Sequence, residues 1–182
     1  MTVKNKKKFF TKKESKAVGM IFICLVMFIG YNLKISIRKG RDNIRKSDMS
    51  AIQGALGQYQ EKYHVFPESK NGKIVGCFAE DTFFDENLER YINLAECEWG
   101  EDGFENLERL PLDPLFNEGR SYLYFSNTKH FQIFTALEGK GESEYTESVV
   151  KRSLKCGVEI CNFGKKYGDI PLGISLEEYE KD

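Results

Sequence analysis

Seventeen consecutive residues, "AVGMIFICLVMFIGYNL" from Ala17 to Leu33, carry no charge. A run of that length sits at the short end of what spans a bilayer as a helix. A cleavable secretory signal has a shorter apolar core with a small-x-small site just after it. Here the run is followed by "NLKISIRKGRD", which offers no such site, and Phe22-Ile23 ahead of Cys24 do not make a lipoprotein-type cleavage site. The run is therefore read as an uncleaved anchor, with Cys24 a small hydrophobe inside it. Charge is arranged around it. Residues 1–16 hold seven lysines against Glu14, a net of +6, although the whole chain nets only -1. A basic block set in front of an apolar run points to a membrane surface, and no nucleic-acid partner is required. Lys34, Arg38, Lys39, Arg41, Arg45 and Lys46 follow the run, so both flanks are basic. The positive-inside rule leans toward a cytoplasmic N-terminus with the remainder outside.

The anchor runs on without a breaker. No proline occurs before Pro67. In "RDNIRKSDMSAIQGALGQYQEKY", residues 41–63, Ile44, Ile52, Ala55, Leu56, Tyr59 and Tyr63 recur at helical spacing and make one apolar stripe. Pro67 disfavours helix at Phe66 and ends the element. The spacing predicts one helix from about Ala17 to His64, apolar all round in its first half and striped in its second.

The block "RDNIRKSDMSAIQGALGQYQEKYHVFP" resembles the first-helix segment of type IV pilins and type II secretion pseudopilins, in which an R-D…S-D helix runs to a Y-P end. Upstream, "KNKKKFFTKKE" is similar to that family's basic leader followed by F-T-x-x-E, with Phe10, Thr11 and Glu14 in those places. Downstream, "LPLDP" (Leu110 to Pro114) and "FTALE" (Phe134 to Glu138) are similar to elements of pilin-like heads. The resemblance covers most of residues 4–67 and 107–138. It implies a structural subunit that assembles with other copies or related subunits through its apolar helix, on a pilus or secretion platform. It also implies that Glu14 meets the N-terminal amine of a neighbouring subunit. The family's processing enzyme cuts after a glycine, and here that place is Phe9; lysines and serine flank Glu14 where the family is apolar. The expectation is thus an intact Phe9–Phe10 bond with the lysine leader retained, in a divergent or minor member. Val26, at mid-run, is expected to lie in a filament core, and Arg41 and Asp42 to make inter-subunit ion pairs.

Residues 67–182 read as a small head. Charged residues are 30% and aromatics 13% of the chain, which is globular rather than disordered material. "SKNGK" is a turn and "IVGCF" a short strand. Residues 84–95, "FDENLERYINLA", place Leu88, Tyr91, Ile92 and Ala95 on one helical face, so a second helix is expected there. "WGEDG" and "LPLDPLFNEGR" are loops. "SYLYFS" and "HFQIFTAL" alternate and are joined by "NTK" as a hairpin. "VEI" is a possible strand, and "EEYEKD" a solvated tail.

Four cysteines, Cys77, Cys97, Cys156 and Cys161, lie beyond the anchor. An even count there suggests two disulfides, Cys77–Cys97 and Cys156–Cys161, if the head is outside the cytoplasm. A four-cysteine zinc site is the rival, although neither spacing is a C-x-x-C knuckle; free thiols are the third option if the head is cytoplasmic. Enzymatic signals are lacking: the two histidines, His64 and His130, have no nucleophile near them in sequence, and no phosphate, dinucleotide or hydrolase motif occurs. Asp113, Asn117 and Glu118 are oxygen donors in one loop, weak candidates for calcium whose bland alternative is a capped turn. The aromatic strand residues Tyr122, Tyr124, Phe125, Phe131 and Phe134 are core, since no basic interleaving accompanies them.

These readings assemble into an α+β chain: a basic leader (1–16), a membrane-spanning half-helix (17–33), its amphipathic continuation (34–66), and an antiparallel-sheet head (67–182) of pilin-like type, clipped by disulfides. Two function classes stand: a filament subunit, and a single-pass anchored binding or sensor domain that never polymerises. The helix distinguishes them physically. A subunit needs it continuous from membrane to head, whereas an anchored domain tolerates a flexible linker.

Overall fold

The structure, a computed structural model, describes residues 11–87, 89–141 and 143–181. It divides into two compact units, residues 1–40 and 41–182.

Within the first unit the described residues form the opening of helix α1 (Lys12–Tyr63). The Thr11 backbone N–H donates to Glu14 Oε2 at 2.7 Å, and the Glu14 N–H donates to Thr11 Oγ1 at 3.4 Å. This reciprocal pair is a capping box, and it satisfies donors that the first turn would otherwise leave unpaired. The F-T-x-x-E pattern thus has a local use: it starts the helix. Val18 through Leu33 stand open to their surroundings, with Val26 at 52% and Phe28 at 67% exposure.

In the second unit α1 continues with a stripe of Asp42, Arg45, Met49, Ile52, Ala55, Leu56 and Tyr59 buried. Ile52, Ala55, Leu56 and Tyr59 match the expected apolar face, and Met49 adds to it. Its near end does not: Ile44 faces outward at 49% exposure, and Asp42 and Arg45 occupy the buried positions. The helix stops at Tyr63, where His64 takes a left-handed φ of 59° ahead of Pro67.

Strands β1 (Glu68–Lys70) and β2 (Lys73–Cys77) form a hairpin closed by Asn71-Gly72. Strands β3 (Phe83–Asp85) and β4 (Arg90–Ile92) pair antiparallel, and β5 (Ala95–Glu96) adds to β2. The helix expected over 84–95 is therefore a hairpin, with Leu88 outside the described residues. The disulfide joins the flanks of this segment, with Cα atoms of Cys77 and Cys97 5.2 Å apart, and so favours a fold that returns the chain to its start. A twelve-residue helix would carry its ends about 18 Å apart, whereas a hairpin returns the chain to its start. Asp85 Oδ1 accepts the Asn87 N–H at 2.8 Å and turns the chain over.

A second antiparallel sheet has β6 (Leu123–Ser126) and β10 (Phe163–Lys166) on either side of β7 (Phe131–Thr135). All five residues of β7 are buried, as befits the middle strand. The two sheets join where the Tyr124 N–H donates to Gly72 O at 2.8 Å. Between β7 and β10 lie α2 (Glu147–Lys151) and the short hairpin of β8 (Lys155–Cys156) and β9 (Glu159–Ile160), clipped by Cys156–Cys161. Ahead of the expected tail, Ser175 caps α3 (Leu176–Tyr179) and Leu176 is buried; within the tail Glu177, Glu178, Glu180 and Lys181 are exposed, and Tyr179 is half-buried beside His130, with ring centroids 6.0 Å apart. Buried Gln132 on β7 pins the approach to α3, donating to Pro171 O and Ile174 O, both at 3.0 Å.

The core lies between α1 and the sheets. Tyr59 stacks on Phe104 with centroids 5.6 Å apart, Trp99 meets Tyr122 edge-on at 5.7 Å, and Phe66 packs on Phe131 at 5.0 Å. Ile52, Leu56, Ile74 and Ile133 fill the space among them.

Candidate functional site

Two features carry the functional reading, and each is described within its own unit. The first is the apolar stretch of α1. Among the described residues, α1 is the helix long and apolar enough to cross a membrane. Its apolar window buries nothing within the chain. Val18, Met20, Ile21, Phe22 and the exposed apolar residues through Leu33 together make a contiguous apolar surface, of the kind that lipid or other apolar surface covers. Val26 lies amid this surface, and Cys24 is an exposed free thiol. Glu14 is exposed and its carboxyl is held below its usual range by the Thr11 backbone, then the Thr11 hydroxyl. Phe9 and Phe10 lie outside the described residues.

The second feature is a buried ionic cluster at the other unit's end of α1. Arg45 is fully buried. Its Nε and Nη2 donate to Asp113 Oδ2 and Oδ1 at 2.8 and 3.0 Å, a bidentate fork. Its Nη1 donates to Asp42 Oδ1 at 2.9 Å and to Glu138 Oε1 at 2.8 Å. Asp42 in turn accepts the backbone N–H groups of Glu138 and Gly139 at 2.9 and 3.0 Å. Arg41 Nε donates to Glu138 Oε1 at 2.7 Å from the half-buried edge. Burial works against the Arg45 charge, but the hydrogen bonds to Asp113 and Glu138 outweigh it and hold the guanidinium above its ordinary range. The hydrogen bond from Arg41, joined by Arg45, pulls the Glu138 carboxyl down to about 2. One turn on, Asp48 accepts the Tyr122 hydroxyl at 2.5 Å; burial keeps this carboxyl raised despite that bond.

This geometry revises the expected part of Arg41 and Asp42. Asp42 is 2% exposed and both its oxygens are engaged within the chain, so it is a lock between α1 and the 138–139 turn rather than a group presented to a neighbour. Arg41 is likewise engaged by Glu138. The calcium candidates separate too. Asp113 is turned inward on Arg45, and Asn117 and Glu118 lie in the 3-10 turn Phe116–Glu118; no group of acid, histidine or cysteine side chains suited to a metal occurs among the described residues. The bland alternative holds for Asp113, which also caps Leu115 N at 2.8 Å. The four distal cysteines form the two disulfides expected, which removes the zinc alternative.

Arg45 and Glu138 were not singled out as site residues by sequence reasoning. A signal was present: Asp42 and Arg45 stand on the helix face that Met49 and Ile52 continue, where a solvated pair would not sit. Its partners, 68 and 93 residues away, are visible only in three dimensions.

Compared with protein-family models, with curated proteins and with solved structures, the chain matches none.

Proposed function

We propose that the chain is a structural subunit of a type IV pilus or type II secretion-like filament, a divergent or minor one, anchored in the cytoplasmic membrane with its N-terminus inside and its head outside. The single observation that carries the reading is the helix. α1 passes from a fully exposed apolar segment to a head-packed stripe with no break between Lys12 and Tyr63. A tethered domain needs no such continuity. A subunit drawn from the bilayer does, because its apolar segment must then be buried against other copies. At about 25 cal/mol per Å² of apolar surface, that burial is a large drive to polymerise. The disulfides fit a head in an oxidising compartment, and the lysine leader fits an inner face. The retained leader, uncut at Phe9–Phe10, belongs to the same proposal, as do the assembly platform and the bilayer as partners.

The test is to shear surface filaments from cells, recover the membranes, and measure the abundance and mass of the chain in each. The chain is expected in the sheared fraction at the mass of the uncut protein. Val26→Asp is expected to abolish it there, since a charge at mid-run is tolerated neither in lipid nor in a helix core. Recovery in membranes alone, as a monomer, leaves the anchored binding domain as the better account.

A further inference from the structure

Five aromatic rings line one cleft of about 220 Å³ in the head unit. Tyr59 and Phe104 are its buried rings, 7% and 3% exposed and stacked with centroids 5.6 Å apart. Tyr63, tilted on Tyr59 at 4.6 Å, and Tyr91 are half-buried. Phe78 stands 69% exposed, edge-on to Tyr91 at 4.8 Å. A core explains the first two rings. It does not explain the other three, which leave apolar surface open around the cleft.

The cleft already holds a cation at its edge. Lys62 Nζ lies over the Tyr63 ring, 4.7 Å from its centroid, within the range at which a ring face attracts an ammonium. The Tyr63 side chain, and after it the Glu105 charge, raise the Lys62 ammonium above its ordinary range. Lys62 is exposed on a flexible stem, so its head can swing away into water. Glu105 lines the same cleft. It takes a left-handed φ of 49° in the two-residue turn that Phe104 and Leu107 close with reciprocal N–H to O bonds of 2.9 Å. Glycine or asparagine fits that conformation at less cost, and strain of this kind collects at functional sites. Residues 78–108 hold eleven Asp and Glu against Arg90, so the surrounding field is negative and gathers cations.

Hydrogen bonding chooses among cations. A primary ammonium brings three donors and a guanidinium five, which a cleft walled by ring faces leaves largely unsatisfied. A quaternary ammonium brings none, and aromatic faces hold it without them. The volume is below the roughly 300–1,000 Å³ of pockets for drug-sized ligands, so the cleft suits a small group. A phosphate beside the cation would meet the surrounding carboxylates, which disfavours a lipid headgroup.

We propose that this cleft binds a small free quaternary-ammonium cation of the choline type, in the place that the Lys62 ammonium holds. The site lies wholly within the head unit. It goes beyond the filament reading and does not depend on it.

The test uses the full chain in maltoside micelles, which carry no ammonium headgroup. The probe is choline labelled with carbon-13 in its N-methyl groups. Those methyl resonances are expected to move upfield and saturate on titration, because ring currents shield a group held over aromatic faces. The neutral alcohol in which carbon replaces the choline nitrogen has the same shape, and is expected to bind the unaltered chain at least tenfold more weakly. Lys62→Gln is expected to tighten choline at least threefold by removing the competing cation. Glu105→Gln is expected to weaken it at least threefold, and Phe78→Leu with Tyr91→Leu at least tenfold, with Trp99 fluorescence checking that each variant is folded. Phosphocholine and phosphatidylcholine vesicles are expected to compete poorly. No saturable shift overturns the proposal, as does equal binding of the neutral alcohol or an affinity indifferent to Lys62→Gln. Phosphocholine bound as tightly as choline overturns the free cation as the occupant. The two readings separate: a chain recovered from filaments that does not bind choline sinks the site alone, and choline binding by a chain that never reaches filaments sinks the filament alone.

Discussion

Replacing Arg45 by methionine keeps most of the side-chain volume and stem while removing the guanidinium. What it leaves behind can be worked out group by group. Glu138 keeps Arg41, and Asp42 keeps the N–H groups of Glu138 and Gly139. Asp113 loses its fork on both oxygens and keeps only the Leu115 N–H, at a site 4% exposed. The variant therefore carries one nearly unpaired buried carboxylate, and breaking a buried pair in this way costs about 3–5 kcal/mol. Removing both partners, as Arg45→Met with Asp113→Leu, should recover most of the loss, because no unpaired charge remains. The assay is urea unfolding of the full chain in detergent micelles, followed by the fluorescence of its one tryptophan, Trp99, which is buried edge-on to Tyr122. A loss under about 1 kcal/mol, the size of a surface pair, would refute the reasoning. So would a double variant no more stable than Arg45→Met alone.

Glu138 titrates at about 2 in the folded chain, below the ordinary carboxylate value, so its contribution is present above that ordinary value and is lost as the pH falls from about 4.5 toward 2. The shift corresponds to about 3 kcal/mol; Glu138→Gln should forfeit most of this at neutral pH and flatten the acid limb of a stability–pH curve. Reducing Cys77–Cys97, whose sulfurs close a span of 20 residues, should cost about 3 kcal/mol on the chain-entropy account; unfolding of a Cys77→Ser, Cys97→Ser variant measures it. Gly157 has φ +73°, and a Cβ there would lie 1.9 Å from the carbonyl oxygen of Gly119. Gly157→Ala should therefore destabilise by about 2 kcal/mol or more, with thermal unfolding as the check.

The parts legible in the sequence were those with strong period or chemistry. The charge-free run, the stripe of Ile52, Leu56 and Tyr59, and the 123–135 hairpin each follow from spacing alone. The disulfides followed from an even count beyond the anchor. Residues 84–95 misled because Tyr91, Ile92 and Ala95 fit a helical face, whereas the segment pairs as the β3–β4 hairpin within the 20-residue span that Cys77–Cys97 closes. Ile44 misled because its spacing fits the stripe, although the neighbouring Asp42 and Arg45 take the inward positions. The helical spacing of Asp42 and Arg45 with Met49 and Ile52 is the one local sign of the cluster; its partners Asp113 and Glu138 lie far along the chain and leave no periodic trace in sequence.

The cluster also bears on how α1 is held. Its buried positions 42, 45, 49, 52, 56 and 59 alternate by three and four, so the apolar part of the stripe is nearly self-similar when the helix slides by one heptad. Apolar contacts of this kind specify burial better than axial position, and a single buried polar group is a well-attested way to fix register. Arg45 supplies that here, because its fork meets Asp113 in one position only. The apolar variant with Arg45→Met and Asp113→Leu should then be stable yet looser in register. Ser50 Oγ and Lys165 Nζ are 2.8 Å apart in the native alignment, with Gln53 Nε2 to Lys166 O beside them at 3.4 Å. With Ser50→Cys, Lys165→Cys and Cys24→Ser, a short bis-maleimide should bridge the pair nearly completely in the otherwise native chain, and at least threefold more slowly once the cluster is made apolar. Equal rates in the two backgrounds would show that packing alone sets the position of α1, and that the buried charges do something other than hold it.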